Sequence, residues 1–204
     1  MKVTAIVGSY RKGKVIDTLV DEALKPFIDS GEDVVKIYLT DKNILFCTNC
    51  RACTQKKGKE AQKCVLKDDM EGILNRCSES EVLILASPVN FMTTTAITKK
   101  FIERLLPYTY WPWGTKTGPR IRSFKRPKKS ILISSCSMPG LLARFCTGSL
   151  FYLWLISFIL GAKVYKTFFV GFSAISVSTE IKPKVLNKLT NTSQKLLNKL
   201  KILD

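Results

Sequence analysis

The chain of 204 residues reads as an open, doubly wound α/β sheet. Three observations lead there. Strand-like apolar runs alternate with segments of helical periodicity five times along the chain. The third run, Glu81 to Ala86, is apolar almost without interruption, as a central strand covered on both faces requires. The first, third and fourth runs each stop at a Ser, Gly or Pro loop, and ligands of such sheets sit outside the carboxyl ends of the strands.

The elements follow in order. Lys2 to Val7 is a short β-branched strand that breaks at Gly8-Ser9, and a helix restarts near Lys14 with Val15, Leu19, Val20, Ala23, Leu24 and Phe27 at helical spacing. Val34 to Leu39 alternates and forms the second strand, so the first two strands are a parallel pair. Residues 43–67 read as a cysteine-rich loop. Asp68-Asp69 opens a helix with acids in its first turn, and Met70, Ile73, Leu74 and Cys77 mark its buried face. After the third strand and the Ser87-Pro88 break, Thr95 to Leu106 is helical. Residues 107–129 are an excursion rich in aromatic and basic side chains, followed by a fourth strand over Ser130 to Ser135. An apolar helix reaching Leu160, a fifth strand over Val164 to Phe172 and an amphipathic helix over Lys184 to Leu203 complete one domain spanning residues 1–204.

Composition narrows the chemistry. Histidine is absent, which removes Ser-His-Asp hydrolysis, Cys-His pairs, His-ligated zinc hydrolysis and histidine base catalysis together. A reaction must therefore draw on another residue type or on a cofactor. The seven cysteines are an odd number and four of them crowd one loop, unlike a secreted disulfide framework. No leader-like segment opens the chain, and the apolar run before Lys163 is too short for a span, so a cytoplasmic protein without membrane insertion is expected. The formal charge of +17 is uneven, with no Asp or Glu from Arg104 to Thr179. Such a field suits either a solvated lysine surface or an anionic ligand, and no specific nucleic-acid motif accompanies it.

Gly8-Ser9-Tyr10-Arg11-Lys12-Gly13 sets several free N–H groups, a hydroxyl and a guanidinium around a helix start, which is the chemistry of a phosphate site. An ordinary strand-to-helix turn is the plain alternative. In the flavodoxin-like strand order 2-1-3-4-5, with helices on both faces, the loops after strands one, three and four converge on one crevice.

These residues, with Cys47-Thr48-Asn49-Cys50-Arg51-Ala52-Cys53, Asp68-Asp69-Met70 and Ser87-Pro88-Val89-Asn90-Phe91 leading into Phe101-Ile102-Glu103-Arg104-Leu105, resemble the NADPH-dependent FMN reductase branch of the flavodoxin-like superfamily, to which iron-sulfur flavoproteins belong. The resemblance implies that Ser9, Arg11 and Gly13 cradle the FMN phosphate. Many relatives carry Asn and Ser or Thr where this chain has Val15 and Ile16, and Lys14 and Thr18 are the candidate substitutes. It further implies that Ser87, Pro88, Val89, Asn90, Phe91 and Met92 wrap the flavin edge, with Ser135, Cys136 and Gly140 on the other side. No catalytic side chain is assigned, because a flavin brings its own chemistry.

Cys47, Cys50 and Cys53 can turn toward one point and Cys64 can close a fourth corner, so a [4Fe-4S] cluster, zinc, or metal-free thiols all remain open. The activity implied is an NAD(P)H oxidoreductase passing hydride to flavin N5 and on to a quinone, free flavin or other small electrophile. The alternative is an electron carrier serving a redox partner protein. NADPH or NADH is the co-substrate, Arg120 and Arg122 are candidates to attract its phosphates, and a dimer or tetramer is expected. The strip Tyr108 to Trp113 stacks on the flavin, makes a subunit contact or simply packs.

Overall fold

The computed structural model describes residues 1–173 and 181–202. Five parallel strands form the main sheet: β1 (Lys2–Val7), β2 (Asp33–Tyr38), β3 (Val82–Pro88), β6 (Lys128–Ser135) and β7 (Ala162–Val170). Their order is β2-β1-β3-β6-β7. That is the expected 2-1-3-4-5 arrangement once two short strands in the excursion are counted. Those two, β4 (Thr109–Tyr110) and β5 (Arg120–Ile121), pair antiparallel as a separate hairpin that the sequence reading did not resolve.

Strand periodicity explains the two core layers. Val3, Ala5, Val7, Val82, Ile84, Ala86, Ile131 and Ile133 point to one face, under α1 (Val15–Asp29) and α6 (Pro183–Lys201). Their neighbours Ile6, Leu83, Leu85 and Leu132 point to the other, under α2 (Met70–Glu79), α3 (Ala96–Glu103) and α5 (Ser149–Ile159). β3 is buried on both faces along Val82 to Ser87, as its uniform apolarity predicts. Polar residues facing α5 are paired: Ser130 bonds Ser157 at 2.7 Å and Ser134 bonds Ser149 at 2.9 Å.

Two boundaries differ most from the sequence reading. The helix expected to reach Leu106 ends at Glu103, because Pro107 disfavours helical backbone before it and Arg104 turns inward to Asp68. The apolar helix is two helices, α4 (Gly140–Cys146) and α5, bent by 62° around Thr147-Gly148. No single helix among the described residues is long and apolar enough to cross a membrane. α5 buries Leu153 and Ile156, as its cap does Leu160, yet leaves Phe151 and Trp154 on the surface, so only its inner side is core. Leu203, which the periodicity puts at the end of the last helix, lies outside the described residues.

Candidate functional site at the carboxyl edge of the sheet

Hydrogen bonds tie the strand-end loops together. The Gly8 carbonyl accepts from Thr95 Oγ1, whose hydroxyl also lies 2.8 Å from that of Thr98. Thr98 Oγ1 in turn donates to Ser87 Oγ at 3.2 Å. The Val89 N–H donates to the Ser135 carbonyl at 2.7 Å, and the Cys136 N–H to the Val170 carbonyl at 2.9 Å. Loops one, three and four therefore meet at one edge. Gly8 is required there: a Cβ would fall 1.9 Å from Thr98 Oγ1.

In the first loop Ser9 is buried and its Oγ accepts from the Arg11 N–H at 3.1 Å, while Arg11, Lys12, Gly13 and Lys14 are exposed. Gly13 takes φ +66°, with open space where a Cβ would sit. The N–H groups of the first turn of α1 have no intrahelical acceptor, and Lys14 offers no side-chain cap. Just before the cap, the Gly13 N–H is already spoken for, donating to Asp17 Oδ2 at 2.5 Å. Burial opposes ionisation of Asp17, but hydrogen bonds from Lys36, Gly13 and Tyr38 outweigh it and hold the carboxyl below its ordinary range. Thr18 Oγ1 bonds back to the Lys14 carbonyl at 3.3 Å, so its hydroxyl serves the helix.

The third loop is a tight reversal. Asn90 and Thr93 exchange backbone bonds of 2.8 and 3.1 Å around Phe91 (φ 47°) and Met92 (φ 70°). Left-handed backbone without glycine costs about 1–2 kcal/mol per residue, and such strain concentrates at functional sites. Phe91 is fully solvent-exposed. Pro88 and Val89 are half-buried beside it, whereas the Ser87 side chain faces inward to Thr95 and Thr98.

In the fourth loop Ser135 and Cys136 are buried, and Cys136 Sγ donates to the Met138 carbonyl at 3.2 Å. Burial raises that thiol's pKa. Gly140 packs against Gly171, where a Cβ on Gly171 would lie 2.2 Å from Gly140 N. Leu141, Phe145 and Phe172 are exposed around this edge. Two polar groups here escaped the sequence reading. Thr94 Oγ1 and Thr147 Oγ1 are buried without a partner, next to the contact between the Gly148 N–H and the Met92 carbonyl. Thr147 sits in an apolar run whose bend no periodicity predicted.

The cysteine loop is pinned from outside. Arg51, in left-handed backbone, lies between the rings of Trp111 and Trp113 at 3.6 and 4.0 Å and donates to the Trp111 and Pro112 carbonyls. The aromatic strip thus clamps an arginine. Arg122 is buried and donates to the carbonyls of Cys53, Lys56, Gly58 and Pro107. That use removes it as an attractor of nucleotide phosphates, while Arg120 stays exposed. Arg104 pairs with Asp68, both side chains 1% exposed, and also donates to the Leu45 carbonyl.

Cys50 is exposed, Cys47 and Cys64 half-buried and Cys53 buried. The Cys53 thiol is pushed up to about 11, by burial first and then by Cys64, Cys47 and Cys50. Among the described residues, however, no three metal-binding side chains converge as a single ion requires. As arranged, the loop does not fit zinc.

The sequence profile of the NADPH-dependent FMN reductase family matches residues 1–122. An iron-sulfur flavoprotein of Archaeoglobus fulgidus is 40% identical over 112 residues, covering 55% of this chain and 49% of that protein. Another, from Methanocaldococcus jannaschii, is 36% identical over 107 residues, covering 52% and 53%. The chain spans about half the length of the curated relatives it matches. In three dimensions it superposes on an FMN-dependent NADH-azoreductase from Bacillus anthracis, solved with FMN, with a TM-score of 0.66 at 14% identity, covering 98% of each chain. The edge described above fits a flavin mononucleotide: an uncapped helix start, a glycine cradle, two orphaned hydroxyls and an apolar rim.

Proposed function

Because the chain belongs to the NADPH-dependent FMN reductase family, we propose that it is an FMN-dependent NAD(P)H oxidoreductase that reduces a small electrophilic acceptor. The observation that carries this reading is the meeting of three strand-end loops beside the first turn of α1. Bound FMN supplies hydride acceptance at N5 and onward electron transfer. Ser9, Arg11, Gly13 and Lys14 hold its phosphate, helped by the α1 dipole. Pro88, Val89, Asn90, Phe91 and Met92 meet one edge of the ring through backbone groups. Ser135, Cys136 and Gly140 line the other, with Thr94 and Thr147 offering the hydroxyls that lack partners. Phe91, Leu141 and Phe145 exclude water from the rim. Val15 and Ile16 contribute only their N–H groups to the phosphate.

A second reading, an electron carrier, draws support from the pinned cysteine loop and from relatives named iron-sulfur flavoproteins. Steady-state NADPH oxidation by FMN-loaded protein separates the two. Turnover with a quinone supports the reductase; flavin that is reduced only when a separate reductase is added supports the carrier. Iron and sulfide quantified after anaerobic purification test Cys47, Cys50, Cys53 and Cys64 as ligands.

A further inference from the structure

A second cavity, of about 620 Å³, lies between α3, the β4–β5 hairpin and α5. Small-ligand sites occupy about 300–1,000 Å³ and are mostly apolar with a few polar groups. Ile102 from α3, Leu105 just beyond its end, Ile121 from the hairpin, and Trp154, Leu155 and Phe158 from α5 form its walls. The amino end of α3 is the end tied to the first loop, through Thr95 to Gly8 and through the Ile97 N–H to the Tyr10 hydroxyl at 3.0 Å. At 1.5 Å per residue Ile102 lies about 10 Å further along the helix, so the cavity is separate from the flavin seat.

We propose that this cavity binds a flat, uncharged aromatic molecule of two or three fused rings. The lining disfavours charge: among the described residues its one ionic group is Glu103, held by Lys99 at 2.7 Å, and no cation lines the space to receive an anion. The Thr109 hydroxyl is likewise spent on the Leu106 carbonyl at 2.8 Å. Apart from Cys47 and Asn49, what remains is carbon and ring face. Trp154 stacks on Phe151 at 5.9 Å and tilts against Phe158 at 5.2 Å. The Arg126 guanidinium lies over the Phe158 ring at 3.6 Å. Trp154 keeps 43% of its surface in water, on a helix without a charged residue, and a stacked ring would cover it. Cys47 and Asn49 form the lip, so an occupant shields the Cys47 thiol and reports to the cysteine loop.

The test uses the whole chain with FMN content measured in parallel, and acridone, an uncharged three-ring probe. Saturable one-to-one quenching of tryptophan emission is expected. Leu155→Arg should weaken it at least tenfold, and acridine-9-carboxylate should bind at least tenfold more weakly than acridone. Acridone should also slow iodoacetamide labelling of Cys47 several-fold by peptide mass spectrometry. If Leu155→Arg loses its native circular dichroism, Ile121→Trp fills the same space from the hairpin and should give the same loss of binding. Unsaturable quenching, equal binding by a folded cavity variant, or a dimer dissociated by Leu155→Arg that excludes acridone would overturn the proposal. FMN content reads out the flavin site separately in every arm.

Discussion

Asp68 and Arg104 are the most consequential single pair in the fold, since both side chains are 1% exposed and together they anchor Leu45 and the start of α2. Burial disfavours the ionised Asp68, but Arg104 and the Leu45 and Met70 amides outweigh it and lower its pKa. A carboxyl with a depressed native pKa contributes stability that is whole above its unfolded pKa near 4 and is lost as pH falls through the native value. Asp68→Asn leaves Arg104 buried and unpaired, so urea denaturation at pH 7 should show a loss of about 3–5 kcal/mol and a shallower acid slope below pH 4. Gly8→Ala places a methyl on Thr98 and the Ala86 carbonyl. Overpacking of this kind costs about 1–3 kcal/mol, read in the same experiment. Residue type and the strand break single out Ser9, Arg11 and Gly13 in the sequence, and the structure sets them just before the first turn of α1. Sequence reasoning missed Thr95 and Thr98, whose partners Gly8 and Ser87 lie on other elements, and Thr94 and Thr147, whose burial without a partner leaves no local pattern.

The cysteine loop is an element without regular structure, held by side chains that donate to its carbonyls. Arg122→Met removes four of those bonds. Trypsin should then cut at Lys56, Lys57 or Lys59 in protein that still carries its normal FMN content; unchanged resistance would mean that the arginine is incidental. Within the loop the thiols differ. The Ala52 amide and the Thr48 hydroxyl lower the Cys50 pKa, whereas burial drives Cys53 to about 11 and Cys77 to about 12. Iodoacetamide at pH 8 should therefore label Cys50 first and Cys53 and Cys77 last, by mass spectrometry. Spacing in the sequence made the four cysteines conspicuous. It gave no hint of the Arg51 clamp or the Arg122 hub, which depend on a hairpin folding back some sixty residues later. Strands were legible because alternation and uniform apolarity mirror the two buried faces of the sheet. The bend at Thr147-Gly148 was not, since both helices are apolar and the break comes from how Gly148 meets Met92.

For the molecule as a whole, the order β2-β1-β3-β6-β7 brings the Gly8–Gly13 turn and two further strand-end loops to one edge, and the family match over residues 1–122 includes the first two of those loops. The carboxyl-terminal third was legible as strand and helix but not as surface: the aromatics of α5 look like core in the sequence and only partly are. The direct test of the central claim is a calorimetric titration of apoprotein with FMN, run beside Arg11→Ala. Stoichiometric uptake by the native chain, with affinity weakened about 10–100-fold in the variant as a lost charge-assisted hydrogen bond predicts, is the expected result. No uptake, or equal affinity in both proteins, would contradict a phosphate seat at the first loop.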